Sequence, residues 1–462
     1  MKKRMVALAA AAALTLSFAG CGGQNAADTS SSAGNAEPGQ ASGAQKNDEP
    51  IKLVIWGGVP EENGPKAVCD LYNEINTDNV TVEYYRYVND DEGNTKLDMA
   101  LAGGEQIDMF VSYTPTRRDK RIEAGNTMDI TDLCKKYDID LLRDFGPIAE
   151  TSLVDGRVYT IPTAKFVDLI IYNKDMLDEA GIDVPTANTT WAEFAEIAKK
   201  LTHGEGANKV YGTNIHNGAE FFVAPFISTK YKNTVPYLNA DKNATEWVSN
   251  PDFKSAYELA EQMMYTDKST PDWETYLSEK LETGGETKFF NEQWASWIIG
   301  SHAIRYVKDT ENLPHDFVTA FSPLPRFDEK QDTYYAGIQS NDHFAVSSRC
   351  EHPEEAVKFL KWYYTEGYDA MIHGGRLPLY QNYDADKAYS IIAEGAEGLI
   401  DEKSFKETVF ANYENTNIVE SDPYKTTTTK IAREETESFF LKLTDINTML
   451  QNLETRCNEV IQ

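Results

Sequence analysis

The chain has 462 residues, with 44 Lys and Arg against 74 Asp and Glu, and a formal net charge of −30 at pH 7. So acidic a body repels nucleic-acid phosphates and anionic lipid headgroups, which excludes both as electrostatic partners. Its length exceeds what one ordinary core supports, so two domains are expected.

The N-terminus opens with Lys2, Lys3 and Arg4, followed by an apolar run from Met5 to Phe18. That run is shorter than the roughly 20 residues of a membrane span, and with small residues behind it residues 1–20 read as a secretory signal peptide. Phe18-Ala19-Gly20-Cys21 resembles a bacterial lipobox, with Phe18 where Leu is usual. The resemblance implies cleavage after Gly20, a diacylglycerol on the Cys21 thiol, and attachment to the extracellular face of a bacterial cell membrane through that lipid alone. The stretch that follows is rich in Gly, Ser, Ala and Asn. It cannot bury enough apolar surface to become ordered, so residues 21–50 are expected to be a lipidated flexible tether.

Ile51–Gly58, "IKLVIWGG", reads as a strand buried on both faces. Val68, Leu71, Tyr72 and Ile75 then fall at helical spacing, Val80–Val88 is β-rich, "TKLDMALAGG" is helix-like, and Ile107–Ser112 is a further strand. This alternation predicts a parallel sheet with covering helices. A second α/β unit begins with a strand over Asp168–Tyr172 and a helix over Lys174–Ala180, stopped by Gly181. Thr190 and Glu193 have the spacing of a capping box, ahead of an apolar face of Trp191, Phe194, Ile197, Ala198 and Leu201. A mostly helical region extends to about Thr310. Asp342–Ser348 reads as a strand, and the helix after it carries Pro353 in its first turn. Leu443, Ile446, Leu450, Leu453 and Cys457 form one stripe of a long C-terminal helix.

Cys69, Cys134, Cys350 and Cys457 show neither a CxxC motif nor zinc spacing. They form up to two disulfides or stay buried and free, the second being favoured in so large a core. No GxSxG, HExxH, Walker A or GxGxxG pattern is present, and no cofactor or metal is expected.

Several segments together resemble extracellular solute-binding protein family 1, the sugar-binding lipoproteins of ABC importers and relatives of maltose-binding protein. They are "YTIPTAKFVDLIIYNKDMLDEAGIDVP" with "TWAEFAEIAKKLT", "TKFFNEQWASWIIGSHAI", "FSPLPRF", "HFAVSSRCEHPEEAVKFLKWYYTEG" and "GGRLPLY". The similarity covers nearly all of residues 51–462. It implies an α/β fold of two lobes, like periplasmic binding proteins, with three inter-lobe crossing segments and a ligand cleft between the lobes. The crossings fall near Thr163–Phe166, Pro323–Pro325 and Thr365–Asp369. Residues 51–163 plus 325–366 form one lobe, and 164–324 plus 367–462 the other. The implied function is that of a monomeric, non-enzymatic receptor that captures a sugar or oligosaccharide and delivers it to the importer's transmembrane permease.

A sugar site needs aromatic faces for the C–H faces of the rings and fixed polar groups for the hydroxyls. Trp56 and Tyr113 stand at the C-terminal ends of their strands, where ligand-facing loops emerge, and Glu61 and Glu62 follow in the first such loop. Lys165 and Phe166 fall in the first crossing, with Asp168 as the nearest acid. The family places an aromatic two residues after the glycine of its "WIIGSHAI"-like segment; here that residue is His302, which can stack and also hydrogen-bond. Trp297 can supply further apolar surface, although Trp294 and Trp297 also read as core at helical spacing. Tyr335, Gly337 and Asp342 flank the strand of a second cleft-facing region, and Gly374-Gly375-Arg376 forms a close-approach loop near the third crossing. Each has a plainer alternative: Trp56 as core, the glutamates as a solvated face, Lys165 as a hinge lysine, Arg376 as half of a surface ion pair. Lys165 and Arg376 are the only cations in the set, which favours a neutral sugar over a phosphorylated polyol. A polyamine or peptide ligand is a further alternative, as is an extracellular carbohydrate-active enzyme using a carboxylate pair.

Overall fold

Leu53, Val54 and Ile55 are buried in succession, as a strand covered on both faces requires. They belong to β1 (Ile51–Gly57), which pairs in parallel with β2 (Val80–Arg86) and β3 (Met109–Ser112). The computed structural model describes residues 50–461 apart from 217–221, 234–236, 282–283, 412, 419–421 and 423. The expected signal peptide, the lipidated Cys21 and the tether up to residue 49 lie outside the described residues. The helix Pro65–Ile75 turns Val68, Cys69 and Tyr72 onto the sheet. Asp91–Gly103 turns in Leu97, Ala100 and Leu101, its first turn capped by Asp90, which accepts from the Gly93 amide at 2.7 Å.

A two-strand hairpin follows, β4 (Leu153–Val154) with β5 (Arg157–Val158). Next comes β6 (Thr160–Asn173), the axis of the molecule. The remaining strands are β7 (Ser296–Gly300), β8 (Thr319–Pro323), β9 (Ile338–Val346) and β10 (Leu377–Pro378). Up to Val167, β6 runs antiparallel between β9 and β10, which completes a sheet ordered β2-β1-β3-β9-β6-β10. From Asp168 onward the same strand lies antiparallel between β7 and β8. One strand therefore belongs to two sheets. The seam is pinned by two backbone hydrogen bonds of 2.7 Å, the Ser301 amide to the Val167 carbonyl and the Asp168 amide to the Gly337 carbonyl. The strand expected from Asp168 and the crossing expected near Thr163–Phe166 are thus parts of one element.

Local rules set the next helices. Lys174–Glu179 begins under the Asn173 side chain and ends at Gly181, whose φ of +65° glycine adopts without strain. Trp191–Leu201 starts in a full capping box. Thr190 Oγ1 accepts from the Glu193 amide at 3.2 Å, and Glu193 Oε2 accepts from the Thr190 amide at 2.8 Å. Thr190→Ala is expected to lower stability by about 1 kcal/mol, measured as a shift in the urea midpoint at unchanged slope.

Two helical expectations fail. Trp294 and Trp297 do not lie on a helix: Trp297 is in β7, the buried Trp294 lies just before it in an isolated bridge with Tyr211, and the two rings meet edge-on at 5.8 Å. The C-terminal helix spans Ile446–Ile461 and buries Leu450, Leu453 and Cys457, but Leu443 precedes it and is 76% exposed. The four described cysteines are buried and free, and burial pushes the thiols of Cys69, Cys134 and Cys350 up to about 12. Added dithiothreitol is therefore expected to leave the thermal midpoint unchanged. Among the described residues, no helix is long and apolar enough to cross a membrane.

Candidate functional site

The β6 seam carries a row of aromatic rings. Just past the end of β7, His302 leads into the helix Ala303–Lys308, which places Tyr306 one turn beyond it. The Phe166 ring is parallel to the His302 imidazole, with centroids 5.9 Å apart and planes 17° apart. His302 meets Tyr306 edge-on at 5.9 Å, and Tyr306 stacks on Trp297 at 6.3 Å and 17°. All four rings are half-buried. Two glycines make room for them. A Cβ at Gly300 would overlap the Phe166 ring, and one at Gly285 would lie 2.7 Å from Trp297. Burial, reinforced by the charges of Arg305 and Arg376, lowers the His302 imidazole to about 4. At neutral pH it is uncharged, with one nitrogen that donates and one that accepts.

Polar groups flank the row. Asp168 lies against Gly337 and accepts from Gln339 Nε2 at 3.0 Å; burial raises its carboxyl to about 6. Lys165 Nζ donates to the Val409 carbonyl at 2.6 Å and sits 4.8 Å from the Phe410 ring centroid. Burial lowers its ammonium to about 8. On β9, Asp342 is 1% exposed with φ of +50°, and its Oδ2 is 3.4 Å from Arg376 Nε. Its Oδ1 has no partner among the described residues. The Arg376 guanidinium lies 5.7 Å from the centroid of Tyr113, whose hydroxyl accepts from the Gly58 amide at 2.7 Å. The turn Glu61–Asn63 abuts this loop, since a Cβ at Gly374 would overlap the Asn63 carbonyl; Glu61 and Glu62 are exposed on it.

Two groups of expected residues are thus assembled. Phe166, Trp297 and His302 form the row, while Tyr113, Asp342 and Arg376 form a second cluster beside the 374–376 loop. Trp56 instead packs, half-buried, against the small cluster that includes Leu97 and Phe110. Tyr335 places its amide on the Thr229 carbonyl at 2.8 Å. Among the described residues, no ring contact joins Trp56 or Tyr335 to the row. Tyr306, Arg305 and Gln339 are additions that sequence reasoning misses. Tyr306 carries a usable signal, four residues after His302 on one helical face, and Gln339 pairs directly with Phe166 across β6 and β9. Among the described residues, no group of three His, Cys, Asp or Glu side chains could hold a metal ion. The arrangement offers flat apolar faces beside fixed donors and acceptors, a surface for binding a polyhydroxylated ring.

A family model for bacterial extracellular solute-binding proteins matches residues 59–370. A putative binding protein of Brucella abortus is 27% identical over 182 residues, covering 35% of this chain and 42% of that protein. This chain therefore spans less than half the length of that curated relative. Among solved structures, a sugar transporter from Rhizobium etli in an open conformation matches with a TM-score of 0.71 at 22% identity, covering 88% of this chain and 99% of that one. An ABC substrate-binding protein from Listeria monocytogenes, in complex with cycloalternan, matches with a TM-score of 0.66 at 20% identity, covering 89% and 99%. These likenesses give the architecture: an α/β fold of two lobes, shared with substrate-binding proteins.

Proposed function

Because the chain belongs to the bacterial extracellular solute-binding proteins, we propose that it captures a carbohydrate at the β6 seam and delivers it to the transmembrane permease of an ABC importer. The observation that carries this reading is the half-buried row Phe166, His302, Tyr306 and Trp297. Sugar rings present C–H faces that stack on aromatic faces, and their hydroxyls need fixed partners once water is excluded. Asp168, Gln339, Lys165, Asp342 and Arg376 supply such partners from both sides of the seam. Tyr113, Glu61, Glu62, Trp56 and Tyr335 would frame the site more distantly. The lobes would be residues 51–163 plus 325–366 and 164–324 plus 367–462, and their closure would bury the ligand on two sides. The bound cycloalternan of the Listeria neighbour supports a carbohydrate by analogy. Cys21 would hold the monomeric receptor by its lipid within reach of the importer.

The test is a thermal-shift screen of the mature chain against monosaccharides, oligosaccharides, polyamines and peptides. A carbohydrate is expected to raise the melting temperature, because it binds the folded state alone. A shift with a polyamine or peptide and with no sugar would overturn the carbohydrate assignment, and turnover of the bound sugar would overturn a pure binding role. Cys21→Ala is expected to release intact protein into the medium; retention on the membrane would overturn the anchor.

A further inference from the structure

We propose that the carbohydrate held at the β6 seam is anionic, its charged group lying between the guanidinium groups of Arg305 and Arg376; this rests on the carbohydrate reading above. The sequence favours a neutral sugar because it offers only Lys165 and Arg376 as cations. The fold adds a third. Arg305 lies on the helix Ala303–Lys308, three residues after His302 and next to Tyr306. Gly375, with φ of +81°, runs along its stem: a Cβ there would lie 2.6 Å from Arg305 Cγ and 3.1 Å from Cδ. Arg376 is the next residue. The helix after β7 and the loop before β10 thus bring two arginines together beside the aromatic row.

Their charges are not equally answered. Arg376 has the buried Asp342 at 3.4 Å. The Arg305 side chain makes no hydrogen bond or ion pair with another described residue, in a chain whose net charge is −30. Arg305 is exposed, so water solvates its charge when no ligand is bound, and its guanidinium is available to an anion that Arg376 also faces. The two charges act on their surroundings in the same sense: burial and then the Arg376 charge lower the Arg305 guanidinium, and burial followed by both arginines lowers His302. Glu286 acts on the neighbouring Tyr306, and Glu61 and Glu62 are exposed on the turn that abuts the 374–376 loop. An anion seated between the arginines is attracted to both. Because β7 pairs only with the second half of β6 and β10 with the first, the same anion would tie the two sheets together across the seam. Guanidinium forks match the planar oxygens of a carboxylate and the oxygens of a phosphate equally well, so a uronic acid or a sugar phosphate satisfies this chemistry.

Titration calorimetry of the mature chain tests it with three probes: an oligogalacturonate, the corresponding neutral galacto-oligosaccharide, and a hexose 6-phosphate. An anionic probe is expected to bind about 30-fold more tightly than the neutral one, as one charge-assisted contact supplies. Raising the salt from about 50 to about 300 mM should shrink that preference several-fold. Arg305→Met should reduce the preference to within about threefold, and Arg305→Lys should retain part of it. The tighter of the two anionic probes identifies carboxylate or phosphate as the source of charge. Equal or tighter binding of the neutral sugar, a preference indifferent to Arg305→Met, or no binding of either anionic probe overturns the proposal. In the first two cases the carbohydrate assignment survives. If no carbohydrate shifts the melting temperature while another class of solute does, both fall.

Discussion

Arg376→Met is expected to unfold about 3 kcal/mol more readily than the parent at pH 7, with a deficit that fades in acid. Asp342 is 1% exposed, and Arg376 is the cation that answers it. Removing the guanidinium leaves a buried carboxylate unpaired, which costs about 3–5 kcal/mol when the pair is fully desolvated. The Arg376 side chain is 29% exposed, so the lower end applies. The pH dependence has a definite sign. Burial raises the Asp342 carboxyl above its ordinary value, and the Arg376 charge opposes the rise. Without Arg376 it climbs further. A carboxyl raised in the folded state takes its proton there first, so stability is fully present below the unfolded value of about 3.9 and is lost as pH rises through the folded one. The deficit should therefore be largest at neutral pH and vanish below about pH 4. Urea titrations at both pH values measure it. Asp342→Asn added to Arg376→Met should restore most of the loss, since Asn tolerates the positive φ and carries no charge. A deficit below about 1 kcal/mol, or one that persists unchanged in acid, would show that the pair carries little of the fold.

The Arg376 pair also shows what a sequence can and cannot reveal. Gly181 as a helix stop and the Thr190–Glu193 box are legible because each rests on neighbours within a few residues. The apolar residues Leu169 to Tyr172 declare a buried strand in the same way. Nothing local says that Thr160–Val167 and Asp168–Asn173 are one strand shared by two sheets, because the partners of β6 lie more than a hundred residues away. The site divides along the same line. His302 and Phe166 stand out by their place in a family pattern. Arg305 does not, because an arginine one residue before a tyrosine is unremarkable until Gly375 is seen lying against its stem. The two tryptophans are open to a helical interpretation because a spacing of three fits a helix, and only the pairing of Trp297 with Ile171 shows a strand.

Asp168→Asn carries the opposite expectation, a gain in stability with a loss of affinity. Burial raises the Asp168 carboxyl to about 6, against about 3.9 for an unfolded aspartate. At neutral pH the folded state therefore holds a carboxylate where it would prefer a neutral group. A rise of that size corresponds to roughly 3 kcal/mol, and partial exposure of the side chain reduces this to about 1–2 kcal/mol. Asparagine removes the charge and keeps an oxygen to accept from Gln339, so the variant should be more stable than the parent by that amount at pH 7. The gain should disappear below about pH 4, where the parent's carboxyl is protonated in both states. On the proposed carbohydrate reading, a ligand hydroxyl donating to the carboxylate would offset that cost in the bound state. Losing that charge-assisted hydrogen bond should weaken carbohydrate binding by about 10–100-fold. The parent's affinity should rise as pH passes upward through 6, whereas the variant's should stay flat. Calorimetry across that range separates the possibilities. A stabilised variant with undiminished affinity would make Asp168 a bystander to binding, and a variant no more stable than the parent would mean that the seam solvates its carboxylate after all.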